Sequence, residues 1–120
     1  MGDACANFVN ELVTLHPSLA EKLIEVREYW APDEPPITIL FGEIGRQITS
    51  EFVYNPENIG RDVFNLINAG MAGDGLLLTA IATGLIESVV SNIKDESVRE
   101  IFLGQLGEKA QAHARAWIGK

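Results

Sequence analysis

One cysteine in 120 residues, Cys5, leaves no intramolecular disulfide to draw, and a reducing compartment is the natural setting for such a chain. Histidine is almost as scarce. His16 and His113 are the only ones, and neither stands in a His-x-x-x-His or Glu-x-x-His spacing, so no metal site is expected. The opening MGDACANF has no basic segment followed by an apolar one, so no signal peptide is expected. Position 6 is alanine where an acylation motif beginning at Gly2 needs Ser or Thr, which removes a lipid anchor. The glycines at 70, 73 and 75 are spaced G-x-x-G-x-G. They follow no strand and precede no Lys-Ser/Thr, so they do not make a phosphate loop. No cofactor and no catalytic residue is expected.

Positive charge is also short. Nine Lys and Arg stand against 17 Asp and Glu, for a net charge of −8. The deficit is concentrated at the front: residues 1–60 carry ten acids and three bases, a net of −7, and residues 61–120 are close to balance at −1. A field of one sign repels nucleic acid and anionic lipid and attracts basic partners. Direct binding to nucleic acid or to a membrane surface is therefore not expected.

What the chain does have is apolar residues, 47% of the total, enough for a core in one domain spanning 1–120. The longest apolar stretch is Leu76 to Val90, LLLTAIATGLIESVV. As a helix it would be about 22 Å long, short of the ~20 apolar residues of a bilayer span. It also holds Glu87, which a membrane interior disfavours. A helix apolar around most of its circumference is buried on several sides, so this segment is expected at the centre, with other helices laid over it.

The flanking segments read as shorter helices. Phe8, Val9, Leu12 and Leu15 share one face over 4–15, and Leu19, Leu23, Val26 and Trp30 face inward on a helix opened by Pro17. Glu21, Glu25 and Glu28 point outward there. Ala31 to Pro36, with three prolines and two acids, is a connector. Ile37, Ile39 and Phe41 alternate as a strand would, but Ile37, Leu40, Phe41, Ile44, Ile48 and Phe52 fit a helix over a longer window. Helix is the better reading, with Gly42 and Gly45 allowing close helix-to-helix approach. Asn55-Pro56 predicts the cap and first residue of a fourth helix with Ile59, Val63, Phe64 and Ile67 inward. Gly70, Gly73 and Gly75 end it, and Asp74 is placed to cap the central helix. Val98, Ile101, Phe102 and Leu106 mark a further helix interrupted by Gly104 and Gly107. Ala110, Ala114, Trp117 and Ile118 mark the last. The expected fold is all-α: six or seven short helices as stacked antiparallel hairpins around a central apolar helix 76–90.

Among polar residues within apolar surroundings, Glu87 stands out. It either lies on a narrow exposed strip or pairs with an arginine such as Arg46 or Arg115, since an unpaired buried carboxylate is costly. Cys5 reads as a buried or incidental thiol, lacking the partner that activates a nucleophile. The exposed acids are the better candidates for function. Glu28, Asp33, Glu34, Glu57, Asp62 and Asp74 lie at helix ends and loops, where a rigid scaffold presents them to a partner.

The run from Asn58 to Val90, with a helix like IGRDVFNLINAGM, a Gly/Asp link and an apolar helix ending ATGLIESVV, resembles small all-helical bacterial immunity-type proteins. These are encoded beside polymorphic (contact-dependent or type VI) toxins. The closing LGQLGEKAQAHARAWI is similar to their final Leu-Gly segment and tryptophan helix, and Glu87 is the polar position shared. The resemblance implies a non-catalytic immunity protein that neutralises a cognate toxin; the acidity of the chain adds the expectation that the toxin domain is basic, the lone cysteine that the setting is cytoplasmic, and the chain is expected as a monomer or homodimer. A second reading is a helical adaptor using an apolar patch around Trp30, Trp117 and Phe52. Whatever the partner, Leu78→Asp or Ile81→Asp is expected to leave little soluble folded protein, because a charge in a packed core is a severe defect. Expression yield and a helical melting curve check it.

Overall fold

The helices begin where the sequence offers a cap. Asp3 accepts from the Cys5 N–H at 2.8 Å and starts α1 (Ala4–Leu12). His16 accepts from the Ser18 N–H through Nδ1 at 3.1 Å, and Pro17 opens α2 (Pro17–Trp30). After the proline connector come α3 (Ile37–Tyr54), α4 (Arg61–Met71), α5 (Gly75–Asn92), α6 (Glu96–Gln105) and α7 (Glu108–Ile118). This computed structural model describes residues 3–119, so Gly2 lies outside the described residues. Seven helices and no strand among the described residues make the fold all-α, with a radius of gyration of 13.4 Å. The segment that alternates at 37–41 is helical, as its longer period predicts.

Two boundaries differ from the sequence reading. Asn55 does cap, accepting from the Glu57 N–H at 3.0 Å, but it caps a single 3-10 turn, Pro56–Asn58. α4 starts later, at Arg61, with Gly60 before it and Ile59 buried in the break. Asp74 occupies the position before α5 without a side-chain capping bond, and Gly75 takes the turn at φ +75, where glycine is the residue that fits without strain. Gly70 and Gly104 lie inside α4 and α6, whereas Gly107 opens α7.

α5 is the buried rod, but its burial starts one turn late. Leu76 is 61% exposed and Leu77 and Leu78 only partly covered, while Ala80, Ile81, Ala82, Leu85, Ile86, Val89 and Val90 are buried. The middle of the helix, Ala80–Ile86, widens into π geometry, and the Glu87 N–H reaches the Ala82 carbonyl five residues back. Within this stretch Thr83 is exposed, and its hydroxyl donates to the Thr79 carbonyl at 2.8 Å. That bond supports a carbonyl next to the irregular turn.

α3 runs along this widened segment more closely than along any other element. A Cβ on Gly45 would sit 2.7 Å from the Leu85 carbonyl oxygen, and one on Gly84 would sit 2.7 Å from the Phe41 Cβ and 3.1 Å from the Thr38 oxygen. On the opposite side, a Cβ on Gly70 would displace Ile81 Cδ1, the end of a side chain, rather than any backbone atom. The Ser88 hydroxyl donates to the Gly42 carbonyl at 2.8 Å across the α3–α5 contact. α2 covers the outside of α3, α1 packs on α4, and α7 lies against α4, α5 and α6.

A second packing centre joins Phe52, Phe64 and Phe102, from α3, α4 and α6, at ring separations of 6.2, 5.4 and 5.3 Å in edge-on geometry. Such contacts add about 0.5–1.5 kcal/mol each beyond area. Phe52 is therefore core, 1% exposed, and no surface patch can include it. On α6 it is Leu103, not Ile101, that turns inward; Ile101 is 48% exposed.

Two glycine substitutions are expected to move in opposite directions. Gly84→Ala forces α3 off α5 and should cost about 1–3 kcal/mol. Gly104→Ala meets nothing within 4 Å and should add about 0.5–1 kcal/mol. Urea melts of the two variants check this. A third expectation concerns α6, whose cap Asp95 accepts from the Ser97 hydroxyl at 2.6 Å and from the Ser97 and Val98 N–H groups at 2.9 and 3.2 Å. These bonds, the Ser97 hydroxyl foremost, hold its carboxyl below the ordinary range. A depressed folded pKa contributes stability present above the unfolded value and lost as pH falls through the folded one. The Tm gap between wild type and Asp95→Ala should therefore be full at neutral pH and shrink below about pH 4.

Candidate functional site

The polar residues that could carry chemistry are engaged in structure. Glu87 Oε2 lies 2.8 Å from His113 Nε2, tying α5 to α7; the side chains are 18% and 32% exposed. The arginines suggested as its partners are occupied elsewhere, Arg46 at 3.8 Å from Glu43 and Arg115 at 3.2 Å from Glu100. No nucleophile completes the Glu87–His113 pair, since the neighbouring Ser88 hydroxyl is turned to the Gly42 carbonyl. His16 uses Nδ1 as an acceptor from the Ser18 N–H, which puts its proton on Nε2 when neutral. That nitrogen faces Glu51 Oε1 at 3.9 Å. Cys5 is 1% exposed, and burial first, with Asp3 second, pushes its thiol up, which makes it a poor nucleophile. Among the described residues no cluster of His, Cys, Asp and Glu is placed to hold a metal ion.

The surface features gather instead on the α2–α3 hairpin. Between these helices lies a hollow of about 340 Å³ walled by Val26, Tyr29, Trp30 and Ile39, with Glu25 and Glu43 at its edges. Tyr29 is 83% and Ile39 44% exposed, so two large apolar side chains reach water beside two carboxylates. Tyr29 and Trp30 stand edge to face at 6.1 Å. Lys22 Nζ bridges the acids, 3.4 Å from Glu25 and 4.0 Å from Glu43. Glu25 nevertheless keeps 72% of its side chain in solvent, so a second cation can approach it.

The six acids singled out from sequence are all exposed, but they do not form one cluster. Glu28 neighbours Tyr29 near the end of α2. Asp33 and Glu34 lie in the connector that leads to α3, where the Asp33 N–H bonds to the Trp30 carbonyl at 2.9 Å. Glu34 borders a second hollow, shared with Asp3 and Arg27. Glu57 and Asp62 follow the other end of α3, which at 18 residues sets them about 27 Å further along. Asp74 belongs to the α4–α5 link. Glu25 reads from sequence as an outward acid of α2, but Glu43, Tyr29 and Ile39 were not marked by their sequence. The available signal was Ile39, an apolar residue standing off the inner stripe of its helix.

The two tryptophans part company. Trp30 borders the α2–α3 hollow and Trp117 borders another at the ends of α5 and α7, so an apolar patch joining them with Phe52 does not exist. Set against protein-family models, curated proteins and solved structures, the chain matches none.

Proposed function

We propose that this chain is a cytoplasmic immunity-type protein that binds a basic bacterial toxin domain, of nuclease type, and neutralises it by steric and electrostatic occlusion. The observation that carries the reading is the aromatic hollow of α2 and α3, with exposed Tyr29 and Ile39 set between Glu25 and Glu43. Aromatic side chains with carboxylates at their rim suit the guanidinium and ammonium side chains of a basic surface. A nuclease is basic because its substrate is a polyanion, and the net charge of −8 supports fast, salt-sensitive association with such a surface. In this mechanism the incoming cation pairs with the solvent-facing side of Glu25, 72% exposed, while Lys22, 16% exposed, stays between the two acids.

The partner is sought in the neighbouring reading frame, as a large secreted protein with a variable C-terminal domain. Two variants then test the surface. Tyr29→Ala with Glu25→Gln, which leaves Lys22 its Glu43 partner, should melt within a few degrees of wild type yet lose protection of cells making the toxin domain. Charge reversal at Asp33, Glu34, Glu57 and Asp62 should slow association by about tenfold or more at low salt, with less effect at high salt. Full protection by both variants overturns the proposal.

A further inference from the structure

On this acidic protein one hollow is lined by cations. It measures about 420 Å³ and lies where the C-terminal end of α5, the turn after it, α6 and α7 meet, bordered by Ser91, Lys94, Arg99, Trp117 and Ile118. We propose that it is a binding site for a small oxyanion, a phosphate monoester or a carboxylate, held by Arg99 and Lys94.

Among the described residues neither Arg99 nor Lys94 makes an ion pair, which is also true of Arg27, Arg61 and Lys109, whereas Lys22, Arg46 and Arg115 each have a carboxylate within 4.0 Å; it is its Nε that sets Arg99 apart. Arg99 Nε is buried and without a hydrogen-bond partner, an arrangement that costs about 1–3 kcal/mol unless something accepts from it. The nearest acids in sequence do not supply that acceptor. Asp95 directs its carboxylate to Ser97 and Val98 at the start of its own helix. Glu96, one turn from Arg99, forms no ion pair with it. Lys94 alone has a sufficient structural reason, since a cation just past Asn92 meets the negative end of the α5 dipole. That reason does not extend to Arg99, which lies in the first half of α6.

The remaining lining fits the same ligand. The Trp117 indole N–H donates to Ser91 Oγ at 3.0 Å, which leaves the Ser91 hydroxyl proton able to donate outward. A planar guanidinium, an ammonium and a hydroxyl together match the oxygens of a phosphate or carboxylate. The indole ring and Ile118 give an organic substituent an apolar wall. No residue of this hollow lines the α2–α3 site, so the inference is independent of the function proposed above.

The test is titration of the whole protein with inorganic phosphate and with phenyl phosphate, against sodium chloride at matched ionic strength. It is followed by Tm and by the Trp117 indole N–H and Arg99 Nε–H cross-peaks in a nitrogen-proton spectrum. Binding should raise the Tm and move both cross-peaks saturably, and Arg99→Met and Lys94→Gln should each weaken the response by about tenfold or more. A response to phenyl phosphate well above that to phosphate supports an organic ligand, and equal responses support the free anion. Cross-peaks that do not move with either anion overturn the site. So does a Tm rise of equal size in Arg99→Met, which would be the general exclusion of phosphate from protein surfaces. Should Arg99→Met fail to fold, Lys94→Gln, on an exposed turn residue, carries the same comparison.

Discussion

The backbone-to-backbone approach of α3 and α5 is the constraint on which the other packing depends. At Gly45 and Gly84 there is no room for a Cβ, and Ser88 bonds the Gly42 carbonyl across the same contact. With the two axes this close, side chains on either side of the glycines interlock: Phe41, Ile44 and Ile48 from α3 with Ile81, Leu85 and Ile86 from α5, all buried completely. The π widening belongs to this contact. It admits an extra residue without breaking the helix, so that six of the seven residues from Ala80 to Ile86 are buried and Thr83 alone meets water. Gly70 lets α4 close in on Ile81 from another direction. A bulkier residue at Gly45 or Gly84, where backbone and Cβ atoms stand in the way, would part the layers that hide α5.

The helical period of α3, the proline connector, the apolar run of α5 and the glycine at 45 were legible because each is a local signal with one dominant physical cause, whereas a Cβ at Gly42 would meet only ordinary contact, 3.8 Å from the Gly84 oxygen. What was not legible depended on distance or on competition. Asn55-Pro56 has the chemistry of a helix start, and it does start a turn. Gly60 then introduces a second start, and the pattern of apolar residues is the same for both. The exposure of Ile101 and burial of Leu103 follow from where Phe52 and Phe64 lie, which no periodicity within α6 encodes. The partner of Glu87 is a histidine 26 residues away, and sequence offered only the expectation that a base would be found. The candidate binding surface was partly legible. The acidity of the first half pointed to α2 and its connector, but the hollow is formed by two helices whose register only the fold supplies.

The acids of the α2–α3 surface pair with Lys22, joining carboxylates 38% and 72% in water at Glu43 and Glu25 to an ammonium that is 16% exposed. Stability comes from the buried cluster, which both halves of the chain supply, α1 to α3 as well as α4 to α7. A net of −7 in residues 1–60 lowers stability through self-repulsion, and this shared burial opposes it.

α3 is where the two halves meet, and its faces keep their tasks apart. The inward face carries Phe41, Gly45 and Ile48 against α5, while Ile39 and Glu43 stand on the side that borders α2. Because side chains on opposite sides of a helix share no packing neighbours, replacements at Ile39 or Glu43 leave the glycine contact undisturbed, and effects at such separated positions add. The hollow between α2 and α3 can therefore change its lining at Ile39 and Glu43 without a new core. The reverse does not hold. A residue larger than glycine at position 84 pushes Phe41 and the Thr38 carbonyl, and these belong to the same turn as Ile39. The α2–α3 surface can vary over the core, but the core cannot shift without moving that surface.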